Sequence, residues 1–302
     1  MPPANSNQGR PNLPPWLRVS FKGARPRREV RKLLRDLNLN TVCEGAFCPN
    51  LCECWERRTA TFMILGDTCT RNCRFCNIAH GAPAPPDPQE PAHVCQAVER
   101  LGLKYVVLTS VTRDDLPDHG AGHFAAVVTA LRHSFDSIGI EVLTPDFAGK
   151  TELIDAVLAT RPNVFNHNLE TCARLTPEIR SGAHYARSLS VLSHAAKSRA
   201  GEGALVKSGF MLGLGETAAE IHQMLGDLRK SGTELVTIGQ YMAPSRDHWP
   251  VARYVTPEEF EEWGRAARED YGFKYAVSAP LVRSSYMAEH AIDSEAANAG
   301  ER

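Results

Sequence analysis

The 302 residues predict an α/β fold built on a parallel sheet. Three observations carry that expectation. Short apolar runs rich in β-branched residues alternate with segments of helical periodicity, the pattern of repeated βαβ units. The runs lack a polar–apolar alternation, as expected of strands covered on both faces. Nearly every run ends in a polar stretch, and in parallel α/β folds chemistry gathers at the carboxyl ends of the strands.

In order, the strand-like runs are TFMILGD (61–67), KYVVLTS (104–110), GIEVLT (139–144), NVFNHN (163–168), LVKSGFML (205–212) and ELVTIGQ (234–240). Between them PAHVCQAVERLG, GHFAAVVTALRHSF, TELIDAVLAT, RSLSVLSHAAKS and TAAEIHQMLGDLRKSG read as helices. About six units are too few for a closed eight-fold barrel and suit either a partial barrel or an open doubly wound sheet. Periodicity does not separate the two. After TPEEFEEWGRAARED, a last apolar run, KYAVSAPLV, leads to RSSY and a polar tail expected to be mobile. Residues 1–60 read as irregular: Pro-rich, then basic, then Cys-rich.

A formal net charge of −1 removes any global field directed at nucleic acid or membrane. No apolar run approaches the length of a membrane span. MPPANSNQGRPNLPPW has no apolar core of the signal-peptide kind, so a reducing cytoplasm is the expected setting. Seven of the nine cysteines lie between Cys43 and Cys76, a density that reads as metal binding in such a setting. Cys95 and Cys172 stand alone and read as small buried hydrophobes.

Directly after the first strand-like run, LGDTCTRNCRFC places Cys69, Cys73 and Cys76 at spacing C-x3-C-x2-C. A sealed zinc site takes four ligands, whereas an open metal position marks a catalytic site. Three thiolates on a cubane leave one iron for a substrate or cofactor. The competing readings are a zinc knuckle short of one ligand and a redox pair made by Cys73 and Cys76. The spacing, with Phe75 before the last cysteine, resembles the radical S-adenosylmethionine enzymes. That resemblance implies a partial (βα)6 parallel barrel with N-terminal Cys-rich and C-terminal extensions. It also implies S-adenosylmethionine chelated on the open iron and cleaved by one electron to a 5′-deoxyadenosyl radical.

A second trio, Cys43, Cys48 and Cys54 in CEGAFCPNLCEC, has spacing C-x4-C-x5-C. The pair of trios resembles one family within that superfamily, lipoyl synthase. The likeness extends along TATFMILGDTCTRNCRFC, GLKYVVLTSVTRDDLPDHGAGHFA, EVLTPDFAGK, RPNVFNHNLET, KSGFMLGLGET, TIGQYMAPSR and PLVRSSYMA. It implies two [4Fe–4S] clusters, one on Cys69, Cys73 and Cys76 and an auxiliary one on Cys43, Cys48, Cys54 and Ser285 of RSSY. An alkoxide is a harder, less usual ligand to iron than thiolate. Cys52 stands where the family usually has glycine and is read as a spare thiol.

The implied reaction is insertion of two sulfurs at C6 and C8 of a protein-bound N6-octanoyl-lysine, with the auxiliary cluster as sulfur donor. Unactivated C–H bonds have no acidic proton, so a positioned base cannot open them and a radical is needed. The implied partners are octanoylated lipoyl-domain carriers (2-oxoacid dehydrogenase E2 subunits and glycine cleavage H protein), a low-potential donor such as flavodoxin or ferredoxin, and an iron–sulfur carrier that rebuilds the spent cluster. No nucleic acid or membrane partner is expected. Asn168 and Glu170 of NHNLE resemble the family's ribose- and adenosine-contacting segment, and TSVTRDD its methionyl-amine segment. Arg187 is the candidate for the methionyl carboxylate, since guanidinium and carboxylate pair bidentately. The plainer readings are a helix cap for Asn168 and a surface charge for Arg187. GLGE (213–216) reads as a glycine turn feeding a helix, and His167 as an ordinary histidine.

The expected domains are 1–60, carrying auxiliary-cluster cysteines; 61–272, the barrel; and 273–302, carrying the serine ligand and the tail. Nine Lys/Arg between Arg10 and Arg35 form a basic arm, read as solvated chain, as a guide for an acidic carrier protein, or as a nucleic-acid contact for which stacking aromatics are sparse, Trp16 and Phe21 being the nearest. The rival functions are another two-cluster sulfur-inserting enzyme of the methylthiotransferase kind, a zinc-binding interaction module, and an electron-transfer protein.

Overall fold

In a computed structural model, residues 13–18, 24–42, 50, 54, 59–286 and 288 are described. Strands run in the order β1 (Asn40–Thr41), β2 (Thr59–Ile64), β3 (Thr68–Cys69), β4 (Ala79–His80), β5 (Tyr105–Ser110), β6 (Gly139–Leu143), β7 (Val164–Asn166), β8 (Leu205–Leu212), β9 (Leu235–Gln240) and β10 (Tyr275–Ala279). Helices are α1 (Ala24–Asp36), α2 (Glu90–Leu101), α3 (Ala121–Ser134), α4 (Thr151–Leu158), α5 (Thr176–Ile179), α6 (Tyr185–Lys197), α7 (Ala218–Lys230) and α8 (Pro257–Glu269). Each expected strand and helix forms within a few residues of its apolar run.

Strands β2, β5, β6, β7, β8, β9 and β10 lie side by side in chain order, all parallel. A doubly wound sheet reverses its order at a switch point; this one does not. Crossovers that step one way with one hand put the helices on one face. Helices α2, α3, α4, α6 and α7 indeed pack in succession along it. Among the described residues β1, antiparallel to β2, and β10 end the sheet without meeting. The sheet is therefore a partial barrel, the architecture that periodicity left undecided.

Phe62, Ile64, Val106, Leu108, Val142 and Phe165 are buried in one continuous core with Val94, Phe124, Val128, Ile154 and Leu192 of the helices. Phe124 meets Phe147 edge-on at 6.2 Å. A smaller apolar layer, Val164, Leu205 and Leu235 with Tyr275, is separate from that core. Strand alternation puts these residues on the opposite, inner face of the sheet. On the same face Lys207 Nζ lies 3.0 Å from both carboxylate oxygens of Glu141, and Asn166 Nδ2 donates to Glu141 Oε1 at 2.7 Å. Their exposures of 4% and 0% make this a buried ion pair, in which each charge requires the other.

One expectation is corrected. The N-terminal region is not uniformly irregular, because Ala24–Asp36 is a 13-residue helix. Val30, Leu33, Leu34 and Leu37 recur at helical spacing, and Leu34 and Leu37 are buried in the main core. Arg28, Arg31, Lys32 and Arg35 occupy the exposed face. The charge run hid the apolar stripe beneath it.

The C-terminal segment folds over the inner face. At Gly239 of β9 a Cβ would overlap the Val282 carbonyl, so only glycine permits that approach. Ser284 Oγ accepts from Asn168 Nδ2 at 2.7 Å, beyond the end of β7. Ala288 packs on Tyr105 and Val107 of β5. Val282 thus lies on β9 and Ala288 on β5, a placement that the RSSY tetrapeptide alone does not reveal.

Candidate active site

The three-cysteine loop leaves β2 through a locked turn. Leu65 and Gly66 both have positive φ, 68° and 96°, which is costly for leucine. Three contacts hold Leu65 there. Its N–H donates to Glu90 Oε2 at 2.9 Å, and its carbonyl accepts from Arg113 Nη1 at 3.3 Å. Gly120, with φ of 87°, abuts its side chain so closely that a Cβ would overlap it. Glu90 also pairs with His123 at 2.6 Å, and Arg113 is fixed by a bidentate contact to Asp115.

Cys69, Cys73 and Cys76 follow as free, half-buried thiols. Cys69 Sγ accepts from the N–H groups of Arg71 at 3.4 Å and Thr112 at 3.3 Å, contacts that favour the thiolate form. Burial pushes the Cys76 thiol up to about 11, with Cys73 and Cys69 adding to the shift. Burial also raises Cys73, against the pull of Arg180. Metal binding has to deprotonate such thiols, and the mutual influence of the three shows that they converge. Among the described residues no three His, Cys, Asp or Glu side chains are drawn tightly enough to wrap one metal ion. A cubane spreads its thiolates over separate irons and asks for looser convergence.

The loop is anchored on several sides. Thr70 N–H and Oγ1 both donate to Thr112 O, at 3.0 and 2.9 Å. Arg74 N–H donates to Ile179 O at 2.8 Å, and its guanidinium lies 4.5 Å from the Trp249 ring centroid. His248 Nε2 lies 3.1 Å from Cys76 O. Arg71, between the first two cysteines, is clamped by Asp114 at 2.7 and 2.9 Å and by Asp146 at 2.8 and 3.1 Å. Burial opposes the Arg71 charge, but the two carboxylates outweigh it and raise its pKa. Burial alone would lift Asp146; the Arg71 guanidinium outweighs burial and holds its carboxyl well below the usual carboxylate range.

Arg187 joins this network. Its Nη1 donates to Asp146 Oδ2 and to Gly182 O, both at 3.1 Å. It is not the isolated surface charge of the plainer reading: its partner is 1% exposed. Among the described residues its Nε and Nη2 make no further hydrogen bond, which leaves donors for an anionic ligand.

Asn168 caps no helix. Its Nδ2 donates to Glu170 Oε1 at 3.0 Å and to Ser284 Oγ at 2.7 Å, while its Oδ1 is buried without a partner. Burial raises the Glu170 pKa, against the pull of Arg180. Ser110 Oγ, at the end of β5, is likewise buried and unpartnered. Orphaned polar atoms at two strand ends suit a polar ligand lying across them. His167, as expected, is structural. Burial, then Arg180, depresses its pKa to about 4. The neutral ring donates from Nδ1 to Thr144 O at 2.9 Å and accepts at Nε2 from Ser188 Oγ at 3.0 Å. Arg180 was missed in the sequence. It is buried, donates to Leu169 O at 2.9 Å and Ser188 Oγ at 3.1 Å, and acts electrostatically on Cys73 and Glu170. Arg71 and Asp146 were missed as well, although CTRNC and PDF carry them.

In the second trio, Cys43 and Cys48 lie outside the described residues, as does Cys52. Cys54 is half-buried, and its N–H donates to Asn50 O at 3.0 Å. Asn50 Nδ2 donates to Leu281 O at 2.7 Å, tying the Cys-rich segment to the chain just before RSSY. Ser285 is half-buried, and among the described residues its hydroxyl makes no hydrogen bond, whereas that of Ser284 is taken by Asn168. An uncommitted hydroxyl a few residues after that tether suits a fourth ligand. The GLGE turn is closed on itself: Glu216 accepts from the N–H groups of Gly213 at 2.7 Å and Leu214 at 2.9 Å.

Comparison with known proteins gives concordant findings. The family model for the radical SAM superfamily matches residues 63–228. A lipoyl synthase from Methylococcus capsulatus is 53% identical over 277 residues, covering 91% of this chain and 85% of its own. One from Caldicellulosiruptor saccharolyticus is 51% identical over 276 residues, covering 91% and 96%. Among solved structures, Streptococcus suis SuiB bound to S-adenosylmethionine superposes with a TM-score of 0.57 at 12% identity, over 84% of this chain and 60% of its own. The [FeFe]-hydrogenase maturase HydG gives 0.56 at 14%, over 83% and 63%. At such identities these two likenesses concern the fold.

Proposed function

The chain belongs to the lipoyl synthase family of the radical SAM superfamily, and from that premise we propose how its residues insert two sulfurs at C6 and C8 of a protein-bound octanoyl-lysine. When bound, S-adenosylmethionine and two [4Fe–4S] clusters supply the electron, the carbon radical and the sulfur. Cys69, Cys73 and Cys76 hold the first cluster, and their incomplete set leaves a position for the methionyl group. Asp114 and Asp146 fix Arg71 and hence the loop's shape; Asp146 also aims Arg187, whose remaining donors take the methionyl carboxylate. Asn168 and Glu170 receive the nucleoside. Cys43, Cys48, Cys54 and Ser285 hold the auxiliary cluster. Residues 1–60 and 273–302 are the extensions that carry the auxiliary-cluster ligands, and 61–272 is the barrel.

The observation that carries this reading is the pair of tethers on the C-terminal segment, Asn50 to Leu281 and Asn168 to Ser284. They draw the serine turn toward a cysteine-bearing segment on one side and the nucleoside site on the other. A radical needs two such sites close together, with water kept out by the covered inner face.

The enzyme acts on lipoyl-domain proteins. In our reading the carriers are 2-oxoacid dehydrogenase E2 subunits and glycine cleavage H protein, the reductant is a flavodoxin or ferredoxin, and an iron–sulfur carrier rebuilds the auxiliary cluster. Among the described residues no helix is long and apolar enough to cross a membrane; cytoplasmic residence is part of the proposal. The test is an anaerobic assay on an octanoylated lipoyl domain with a low-potential reductant. It is expected to give 5′-deoxyadenosine and a product in which two sulfurs replace two hydrogens. Protein carrying both clusters that releases 5′-deoxyadenosine but leaves the octanoyl chain without sulfur would refute it.

A further inference from the structure

Asn168 is buried at 5% exposure and stands between two functional segments. Glu170 Oε1 accepts from the amide nitrogen at 3.0 Å. Both amide hydrogens are then committed, one to Glu170 and one to Ser284 Oγ at 2.7 Å, across 116 residues of chain. The carbonyl oxygen is left buried with no partner. Gly209 of β8 allows this packing, since a Cβ there would overlap Thr237 and stand 3.1 Å from Asn168 Oδ1. An unpartnered buried acceptor of this kind is costly unless a ligand donates to it.

We propose that Asn168 couples the nucleoside site to the C-terminal serine turn: its carbonyl oxygen accepts from a hydroxyl or amino group of the bound nucleoside, while its amide nitrogen holds Ser284, the residue before Ser285. This rests on the reading in which the nucleoside sits at the strand ends and Ser285 is a ligand of the auxiliary cluster. A donor on Oδ1 polarises the amide and strengthens its N–H bonds. Nucleoside binding and retention of the serine turn therefore favour one another. Linkage makes the effect reciprocal: whatever factor the nucleoside gives to the turn, the turn gives back to the nucleoside. Asn168 in this role is a positioning residue for Ser285, acting through Ser284.

The test uses the full chain with both clusters rebuilt, under anaerobic conditions. Equilibrium dialysis measures S-adenosylmethionine affinity in the native protein, Ser284→Ala, Asn168→Ala and the double variant. Ser284 does not reach the nucleoside in this reading. Its removal is nonetheless expected to weaken binding about three- to tenfold, the worth of one buried hydrogen bond. The double variant is expected to bind no more weakly than Asn168→Ala alone. In the reverse direction, amide hydrogen exchange over 279–286 is expected to slow on adding S-adenosylmethionine to native protein, and to stay unchanged in Asn168→Ala. Native affinity in Ser284→Ala, or a turn whose exchange ignores the nucleoside, overturns the coupling. Ser285→Ala with iron and sulfide analysis tests the ligand reading by itself. Loss of auxiliary iron there, together with native affinity in Ser284→Ala, would sink the coupling and keep the ligand; retained auxiliary iron would sink the ligand reading whatever the coupling measurements give.

Discussion

Replacing Asp146 by asparagine isolates the electrostatics of the cysteine loop. The Asp146 side chain is 1% exposed and accepts from Arg71 at 2.8 and 3.1 Å, from Arg187 at 3.1 Å and from Ala148 N–H at 3.1 Å. Asparagine keeps the shape but removes the charge that balances two guanidinium groups. Removing one partner of a buried pair costs about 3–5 kcal/mol. Arg71 keeps Asp114, which is 36% exposed and screened, so the lower end, about 3 kcal/mol, is expected. In a chain of this size that is a fall in melting temperature of about 5–10 °C. Thermal unfolding of the cluster-loaded protein reads it directly, with iron content as a second measure of loop integrity. The sign with pH follows from the depressed folded pKa. The contribution is fully present above the ordinary carboxylate value of about 4 and is lost as pH falls below it. The gap between native and variant protein is therefore constant from pH 5 to 8 and closes below pH 4. A variant within about 0.5 kcal/mol of native, the range of ordinary surface changes, would refute the clamp.

Three further outcomes are expected. Gly239→Ala forces a methyl against the Val282 carbonyl and displaces the C-terminal segment; iron is expected to fall from about eight toward about four per chain as the auxiliary cluster is lost. Full iron content in that variant would contradict the seating of Val282 against β9 as a support of the serine turn. His167 folds neutral with its pKa depressed to about 4, so its contribution is present above the unfolded value of about 6.5 and lost on acidification between the two. Native protein is expected to lose about 2 kcal/mol from this group between pH 7.5 and 5, a loss absent in His167→Gln and read by denaturant midpoints across that range. Arg28→Glu with Arg35→Glu reverses charge on the exposed face of α1 and is expected to slow association with a lipoyl domain at low salt, the difference vanishing at high salt. Stopped-flow rates equal to native at low salt would exclude a steering role for that face.

Much of this protein is written locally. The βα succession follows from periodicity and β-branched composition, and LVKSGFML is β8 residue for residue. The two cysteine trios and RSSY stand out in the sequence because residue type and spacing are sequence properties. Helix α1 was the local failure: nine basic residues obscured the stripe of Val30, Leu33, Leu34 and Leu37. What only the tertiary structure decided are meetings between residues far apart in the chain. Arg71 reaches Asp114 and Asp146 across 43 and 75 residues, and Asn50 reaches Leu281 across 231. Hydrogen bonds and ion pairs act over a few ångströms in space, and no spacing rule records which polar strand ends a partial barrel brings together. The same reason leaves Asn168 ambiguous in NHNLE and specific in the fold, where one end of its amide holds Ser284 and the other waits for a donor.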